Sequence, residues 1–274
     1  MVKPLLPGDP AYPPGLNDLE EPPPLYIRGR IPDGPCVAVV GTRSCTRYGV
    51  DIGESMGRQL ASAGLVTVSG LARGIDAAAH RGTVTVRGHG VAILGSGLDH
   101  IYPRENIGLA QSLVEHGGAV VSEYPNGTPP DRWRFPARNR LIAAMSVAVV
   151  VVESRVTGGA QITAVLAAEM GRPVFAVPGD VDRESSAGTN RLIRDGAIPV
   201  FGGQDLLDEL SVLAGVDARP VGLNGPVPAG GLDIDDLPDH WGCTIKEALV
   251  RLGRLEASGE VRRLGDRILP AIRD

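Results

Sequence analysis

The chain has 274 residues, of which 43% are hydrophobic and 22% are charged. That length accommodates one large domain, or one large and one small domain, of a globular protein. The formal net charge of −5 excludes a surface coated in positive charge, although a local basic groove remains compatible with it. No apolar run approaches the roughly 18 residues of a membrane-spanning helix, so we expect no membrane segment.

The three cysteines indicate the compartment in which the protein works. Cys36, Cys45 and Cys243 are far apart in the sequence and form neither a CxxC pair nor the spacing of a zinc site. Such usage is typical of a reducing compartment, and the N-terminal residues carry prolines where a signal peptide needs an apolar helix. We therefore expect a cytoplasmic protein with no metal site.

The predicted elements begin with a proline-rich N-terminal extension, residues 1–35, which we expect to wrap the following domain in extended form, with a short strand at 25–29. From 36 to 213, apolar runs typical of strands alternate with helical patterns. The strand candidates are 37–40, 65–69, 91–94, 119–122, 147–152, 173–177 and 198–200. This alternation predicts an α/β fold with a Rossmann-like, doubly wound and mainly parallel sheet.

The first helical pattern, residues 47–63, carries a stripe of small residues. Its apolar residues recur every four positions, and Gly49, Gly53 and Gly57 occupy the neighbouring stripe. Because small side chains allow a close approach, we expect this helix to lie close to the sheet.

The C-terminal part of the chain has a different pattern. Residues 214–231 are rich in Gly, Pro and Ala without periodicity, which predicts a linker. Residues 232–274 predict a small winged-helix domain, in which Thr244 and Glu247 form a capping box and a hairpin turns at Gly265. This domain has seven Lys/Arg against nine Asp/Glu, a net charge of −2. Duplex recognition would need more positive charge, so a protein contact or a weak DNA contact is expected.

The segment GTRSCTRYG (41–49) joins the first buried strand to the following helix. Gly41 lets the backbone approach a ligand, the helix N-terminus offers free amides to an anion, and Arg43 can add a bidentate contact to phosphate. The alternative is a tight turn in which Arg43 pairs with a carboxylate at the end of the sheet, such as Glu123. The loop is not GxGxxG and no acidic residue ends the second strand, so we expect no NAD.

The segment SGLARGIDAAAH follows the next strand. We expect Ser69 and Gly70 to form the turn and Arg73 to open the helix. Asp76 and His80 lie four residues apart on one face, which is compatible with catalysis or, more simply, with helix capping and a contact between neighbours. No nucleophile in a strained elbow accompanies them, so capping is the favoured interpretation.

The segment DRWRFPARNRLI (131–142) is the densest basic patch of the chain. Trp133 and Phe135 alternate there with the first two of four arginines, at 132, 134, 138 and 140. Guanidinium groups bind phosphates while aromatic faces stack on bases, a combination used on single strands. The alternative is that one or both rings fill the domain core and only the arginines face solvent.

The segment ESRVTGGAQITA (153–164) ends the most apolar strand. Gly158 and Gly159 precede a helix with Thr163 in its first turn, which predicts a nest of amides for phosphate. The segment lacks the Lys-[ST] pair that holds a nucleotide and magnesium in a Walker loop, so we expect no ATP hydrolysis. Since no activated nucleophile or metal cluster accompanies these loops, we do not expect an enzyme.

Taken in order, several motifs resemble the DprA/Smf family, the DNA-processing protein A of bacterial transformation: VAVVGTRSCTRYG, VSGLARGIDAAAH, AILGSGLDHIYPREN, SEYP, FPARNRLIA, VVVVESRVTGGAQITA, and VFAVPGD followed by GTNRLIRDGA. The resemblance runs from about Tyr12 to Leu210, and no single motif has to carry it. It implies an extended Rossmann fold that binds single-stranded DNA, forms a homodimer, protects incoming DNA and helps load RecA in natural transformation and recombination.

The resemblance also implies site residues. Those that match the family's pocket motifs are Arg43, Ser69, Gly70, Arg73, Arg138, Asn139, Arg140, Gly158, Gly159 and Thr163. The glycine loop departs from the more usual Ser-Gly-Ser form, and Ala137 stands where many members have a lysine. Together with Gly41, Trp133 and Phe135, these residues form the predicted DNA-binding site, which needs no cofactor.

Two other functions stay open at this point. A nucleotide phosphoribohydrolase of the lysine-decarboxylase-like type shares a related Rossmann core, but its signature is a PGGxGT loop followed by a catalytic glutamate. Here TGGAQIT occupies that place, and Glu169 lies too far along the helix. A winged-helix transcription factor with a ligand-sensing domain is the third interpretation, and the acidic C-terminal domain argues against it.

Overall fold

A computed structural model describes residues 3–216, 227, 230–241, 244–257 and 259–271. The chain divides into two compact units, Met1–Arg219 and Pro220–Asp274, and each has its own apolar core. The boundary falls within the predicted linker 214–231, most of which lies outside the described residues. The linker therefore stays a prediction.

The large unit is built on one eight-stranded sheet, which confirms the predicted α/β, mainly parallel fold. Its strands are β1 Tyr26–Gly29, β2 Cys36–Val40, β3 Val66–Ser69, β4 Gly90–Leu94, β5 Ala119–Ser122, β6 Ala148–Val151, β7 Val174–Ala176 and β8 Ile198–Pro199. Their spatial order is β1-β5-β4-β3-β2-β6-β7-β8. Strand β1 pairs antiparallel with β5, and each of the other neighbouring pairs is parallel.

Helices cover both faces of this sheet. They are α1 Arg47–Ser62, α2 Ile75–Thr85, α3 Ile107–Glu115, α4 Arg134–Met145, α5 Gly159–Glu169, α6 Glu184–Arg194 and α7 Gly203–Leu213. On one face α4 and α5 pack against the strands, and on the other α1 and α7 do so. Since successive strand residues point to opposite faces, the central strands are mostly apolar, and the buried hydroxyls of Thr67, Ser69 and Ser122 are hydrogen-bonded. No helix among the described residues is long and apolar enough to cross a membrane.

The proline-rich N-terminal segment contributes to the core of the large unit. Tyr12, Leu16 and Leu25 are each at most 5% exposed and belong to the apolar cluster beneath α4 and α5. The Tyr12 hydroxyl donates a hydrogen bond to the Pro23 carbonyl at 2.8 Å. The expected extended path is interrupted by a 3-10 helix at Pro14–Asp18, since proline is well accommodated at a first helical position.

Two of the three glycines in the small-residue stripe of α1, Gly53 and Gly57, pack against α2 rather than against the sheet, so that part of the prediction is wrong. A Cβ atom on Gly57 would lie 2.0 Å from the Ala79 carbonyl oxygen. Glycine is therefore needed for the two neighbouring helices to approach this closely. The apolar stripe of α1 packs against the sheet instead, and its residues Met56 and Leu60 are fully buried.

The small unit combines short helices with a three-stranded sheet. Its elements are β9 Leu232–Asp233, a 3-10 helix Ile234–Asp236, α8 Leu237–Trp241, α9 Ile245–Ala257, β10 Val261–Leu264 and β11 Arg267–Pro270, with strand order β10-β11-β9. The capping box is confirmed, since the Thr244 amide donates to the Glu247 carboxylate at 2.8 Å and the Glu247 amide donates to the Thr244 hydroxyl at 3.3 Å. The hairpin turns at Gly265 as expected. This element order fits a winged helix, which stays a prediction; Cys243 lies outside the described residues.

Candidate nucleic-acid interface

A cleft of about 810 Å³ opens at the carboxyl ends of β2 and β6. The chain builds β2 to β5 in one direction across the sheet, and then returns through α4 to place β6 on the other side of β2. Open α/β sheets bind ligands at such a switch point because the loops diverge there. The loop after β2, the first half of α4, the loop after β6 and the start of α5 line the cleft.

The buried carboxylate of Glu153 joins the loops that follow β2 and β6. It accepts hydrogen bonds from the Thr46 amide at 2.8 Å and the Thr46 hydroxyl at 2.7 Å. The Glu153 carbonyl also accepts the Thr42 amide at 2.7 Å. The Thr46 hydroxyl in turn caps α1 by accepting the Gly49 amide at 3.1 Å. The loop that carries Arg43 is therefore fixed to the end of β6 without help from a ligand.

The exposed Arg43 side chain lines the cleft beside two aromatic rings. Its guanidinium carbon is 5.1 Å from the centre of the Phe135 ring, a cation–π distance. The Phe135 and Tyr102 ring centres are 5.6 Å apart. The alternative pairing of Arg43 with Glu123 is wrong, because Glu123 binds Arg140 at 2.6 Å. Within the described part of the chain no carboxylate forms an ion pair with Arg43, so its guanidinium is available to an anion.

The N-terminus of α5 supplies a second wall of the cleft. Gly158 is its N-cap residue, and no side chain caps the first-turn amides, so this helix end can bind an anion. The Asn139 side-chain amide donates to the Gly159 carbonyl at 3.0 Å and holds the loop against α4. Thr163 is buried, and its hydroxyl donates to the Gly159 carbonyl at 3.2 Å, so its side chain serves the helix.

Arg138 lies in the floor of the cleft, but it is only 3% exposed. Its guanidinium donates to the Gly70 carbonyl at 2.6 Å and to the Ile93 carbonyl, and it lies 3.9 Å from the Asp76 carboxylate. Burial lowers the pKa of Arg138 to about 10, which leaves it charged at neutral pH. Arg138 lines the cleft as a buried residue, and its predicted contact with DNA stays a prediction. It links the ends of β3 and β4 to α4.

Ser69, Gly70 and Gly41 also serve the fold. The buried Ser69 hydroxyl donates to a β2 carbonyl at 2.7 Å and ties β3 to β2. A Cβ atom on Gly70 would lie 2.0 Å from an Arg138 guanidinium nitrogen, so glycine admits that side chain rather than a ligand. A Cβ atom on Gly41 would lie 2.4 Å from the Ile75 side chain. Gly41 does line the cleft, whereas Ser69 and Gly70 do not.

The Asp76 and His80 pair belongs to the packing of α2. Asp76 accepts the Gly70 amide at 3.1 Å and the Ala72 amide at 3.4 Å, so it holds the loop before α2 and does not cap the helix as predicted. Burial raises the pKa of Asp76, although Arg138 and these amides oppose that shift. His80 is fully buried, and burial lowers its pKa to about 3, so it is neutral.

Besides Ser69 and Gly70, three further predicted site residues lie outside the cleft lining. Arg73 is exposed and binds Glu105 through two nitrogens, each at 2.9 Å. Arg140 is half-buried and pairs with Glu123. Trp133 is 58% exposed. The basic segment therefore does not form one patch, since Arg132 and Arg138 line the cleft whereas Trp133 and Arg140 do not.

Sequence reasoning did not assign Tyr102 and Arg155 to the site, although both line the cleft. Arg155 follows β6 as Arg43 follows β2, so the rule that parallel strands end at one edge could have found it. Its guanidinium lies 3.4 Å from the Glu184 carboxylate. Tyr102 comes from the loop after β4 and reaches the cleft only through tertiary packing. Arg132, noted in the sequence only as part of the basic segment, is an exposed member of the lining.

The chemistry of the cleft suits phosphate. It combines the unpaired guanidinium of Arg43, three further arginines on its lining, of which Arg138 is buried, and an open helix N-terminus. In the portion of the chain that the structure describes, no group of three His, Cys, Asp or Glu side chains could hold a metal ion. Fold and site together define a Rossmann-like protein with a cleft at the switch point of its sheet, and the groups on the cleft lining suit an anion.

Comparison with known sequences identifies the family. Residues 3–211 match the family described as DNA recombination-mediator protein A. Protein Smf of Escherichia coli K12 is 42% identical over 210 residues, which cover 75% of this chain and 56% of that protein. DNA processing protein DprA of Bacillus subtilis 168 is 37% identical over 203 residues, which cover 73% of this chain and 68% of that protein. The chain therefore belongs to the DprA/Smf family of DNA recombination mediators, and it spans just over half the length of the E. coli relative.

Solved structures of relatives share the fold of the large unit. DNA processing protein A from Streptococcus pneumoniae superposes with a TM-score of 0.69 at 38% identity, covering 76% of this chain and 74% of that one. DNA processing protein A from Helicobacter pylori, described for its single-stranded DNA binding mode, has a TM-score of 0.67 at 30% identity, covering 76% and 94%. These likenesses agree with the predicted extended Rossmann-like domain.

Proposed function

We propose that this chain binds single-stranded DNA, protects incoming strands and helps load RecA in natural transformation and recombination. Membership of a family described as recombination mediators supports the proposal. So does the single-stranded DNA binding described for the H. pylori relative. A homodimer, RecA as partner and a cytoplasmic location are parts of the same proposal, and the family resemblance supports them.

The observation that carries the proposal is the unpaired Arg43 guanidinium, which shares one cleft with the uncapped N-terminus of α5. A guanidinium and a set of backbone amides are both suited to phosphate oxygens. The Phe135 ring holds Arg43 in place by a cation–π contact, so less side-chain entropy is lost on binding. Arg132 extends the positive lining. A flexible single strand can bring its backbone into such a cleft.

The same cleft gives little support to a nucleotide phosphoribohydrolase. Among the described residues that line it, Asp76 is the only carboxylate, and backbone amides of its own turn hold it. Glu169 is the last residue of α5, about 15 Å from Gly159 at a helical rise of about 1.5 Å per residue. We therefore propose a binding protein without catalytic activity.

Titration with oligo-dT, a matching duplex and AMP tests this function. Fluorescence anisotropy at fixed salt should show tight binding to oligo-dT only, with no turnover of AMP. Arg43→Ala should weaken oligo-dT binding roughly tenfold or more, since a charge-assisted contact is worth about 1.5–3 kcal/mol. Arg47→Ala is the matched control, because Arg47 is an exposed arginine of α1 that already pairs with Asp51 at 3.0 Å. Equal affinity of Arg43→Ala and wild type, or turnover of AMP, would refute the assignment.

A further inference from the structure

A cluster of two aromatic rings and one guanidinium group lies beside the cleft and is formed by Trp133, Arg134 and Tyr124. The Arg134 guanidinium carbon is 4.9 Å from the Trp133 ring centre and 5.2 Å from the Tyr124 ring centre. The two rings are 6.4 Å apart at an interplanar angle of 89°. Arg134 also donates a hydrogen bond to the Pro129 carbonyl. The indole is therefore held in place on one side, yet Trp133 remains 58% exposed.

Phe135, the other aromatic residue of this segment, has different surroundings. The Arg43 guanidinium covers its ring at 5.1 Å, and the Tyr102 ring packs against it at 5.6 Å. Its ring edge also faces Gly95, where an added Cβ atom would lie 3.1 Å away. Phe135 is thus a positioning residue for Arg43, and its ring is not free to receive a base.

We propose that the exposed face of Trp133 stacks on a nucleobase of the single strand whose phosphate binds at Arg43. This inference rests on the proposed function and adds a second, base-binding subsite outside the cleft. A large aromatic side chain that is both exposed and held in position needs little ordering when a flat ligand stacks on it. Arg132, exposed, on the cleft lining and adjacent in sequence, continues the positive charge from the cleft to the indole.

The sheet order gives the distance between the two subsites. Tyr124 follows β5 and Arg43 follows β2, and these strands are three positions apart in the sheet. At about 4.8 Å per strand spacing, the two loops begin about 14 Å apart. A single strand of a few nucleotides spans a distance of this order. A twelve-residue oligo-dT is long enough to reach both.

The test compares dT12 with a twelve-residue oligonucleotide in which every position is abasic, so that length and phosphate charge are equal. Trp133→Ala should weaken dT12 binding roughly tenfold, the effect of losing one stacked base, and should leave the affinity for the abasic strand unchanged. Trp133→Phe should recover most of the loss. Trp241→Phe is the matched control, since Trp241 is a buried core residue of the small unit. In that background, dT12 should also quench Trp133 fluorescence and the abasic strand should not.

Each other outcome overturns the subsite. Unchanged dT12 binding by Trp133→Ala shows that no base stacks there, and an equal loss on both oligonucleotides shows that Trp133 acts through the fold. Arg43→Ala separates this failure from failure of the proposed function. If Arg43→Ala weakens binding to both oligonucleotides while Trp133→Ala does not weaken dT12 binding, the results support single-stranded DNA binding in the cleft and contradict the base-binding subsite at Trp133. If the wild-type protein does not bind dT12, both the proposed function and the base-binding subsite are contradicted.

Discussion

Arg138 joins two strand ends to α4 through a single buried side chain. Removing the Arg138 side chain would take away a hydrogen-bond donor from the Gly70 and Ile93 carbonyls and a nearby positive charge from the Asp76 carboxylate. We expect Arg138→Ala to lower the free energy of unfolding by about 3–5 kcal/mol, the usual cost of breaking a buried ion pair. Urea denaturation measures this. The exposed Arg132→Ala should change stability by less than about 0.5 kcal/mol, and a similarly small effect of Arg138→Ala would contradict the buried role.

His80 makes the stability of the large unit depend on pH. Burial lowers its pKa to about 3, whereas an unfolded chain titrates at about 6.5. The unfolded chain therefore binds a proton that the folded chain rejects, and stability falls as the pH falls below about 6.5. Between pH 7 and pH 5 this contribution amounts to about 2 kcal/mol.

The raised pKa of Asp76 makes the stability rise as the pH falls, opposite to the effect of His80. The contribution of His80 is therefore isolated by comparing a His80 variant with wild type. His80→Gln should show a flatter dependence of unfolding free energy on pH than wild type, whatever its absolute stability. Urea denaturation at several pH values gives both slopes. Equal slopes from pH 7 to pH 5 would show that His80 does not titrate on unfolding.

At the scale of elements, the contact between α1 and α2 depends on the absence of a side chain. A Cβ atom on Gly57 would lie 2.0 Å from the Ala79 carbonyl oxygen, so a helix must move to accept it. We expect Gly57→Ala to destabilise the protein by about 1–3 kcal/mol despite the better helix propensity of alanine. Gly108→Ala in α3, where an added Cβ meets no atom within 4 Å, is the matched control. Thermal unfolding should show a lower Tm for the first variant alone, and an unchanged Tm there would disprove the close contact.

The elements themselves were largely predictable. Strands buried on both faces are mostly apolar, and each predicted apolar run in 36–213 corresponds to a strand. The partner of the α1 glycine stripe was not predictable, because spacing defines a helix face but not what packs on it. The burial of Arg138 had a readable signal: Leu141 and Ile142 lie three and four residues further along α4, on the same face.

At the scale of the molecule, the two compact units allow a prediction about truncation. The family match ends at residue 211, and the large unit contains the whole cleft. Residues 1–219 alone should therefore fold and bind oligo-dT with an affinity within a few-fold of the full chain. The small unit should contribute little, since residues 232–274 carry a net charge of −2. Insoluble protein, or loss of binding, would contradict independent units.

The candidate site was predictable in outline. The strand pattern places Arg43, after β2, and the start of α5, after β6, at one edge of the sheet, because parallel strands end at one edge. The structure adds that β2 and β6 are neighbours. The sequence did not predict that Trp133 is exposed while Phe135 packs against Arg43, since both aromatic residues alternate with arginines in sequence. Their exposure depends on which side chains pack against them, and those come from distant loops.

The dependence of oligo-dT affinity on salt tests the central claim most directly. Binding to single strands weakens with salt by about 0.7 in the log–log slope for each phosphate contact. If Arg43 binds a phosphate, Arg43→Ala should have a slope smaller by about 0.7 than wild type, while Arg47→Ala keeps the wild-type slope. Anisotropy titrations at four salt concentrations give the three slopes. Identical slopes and affinities for wild type and Arg43→Ala would show that the cleft is not where the strand binds.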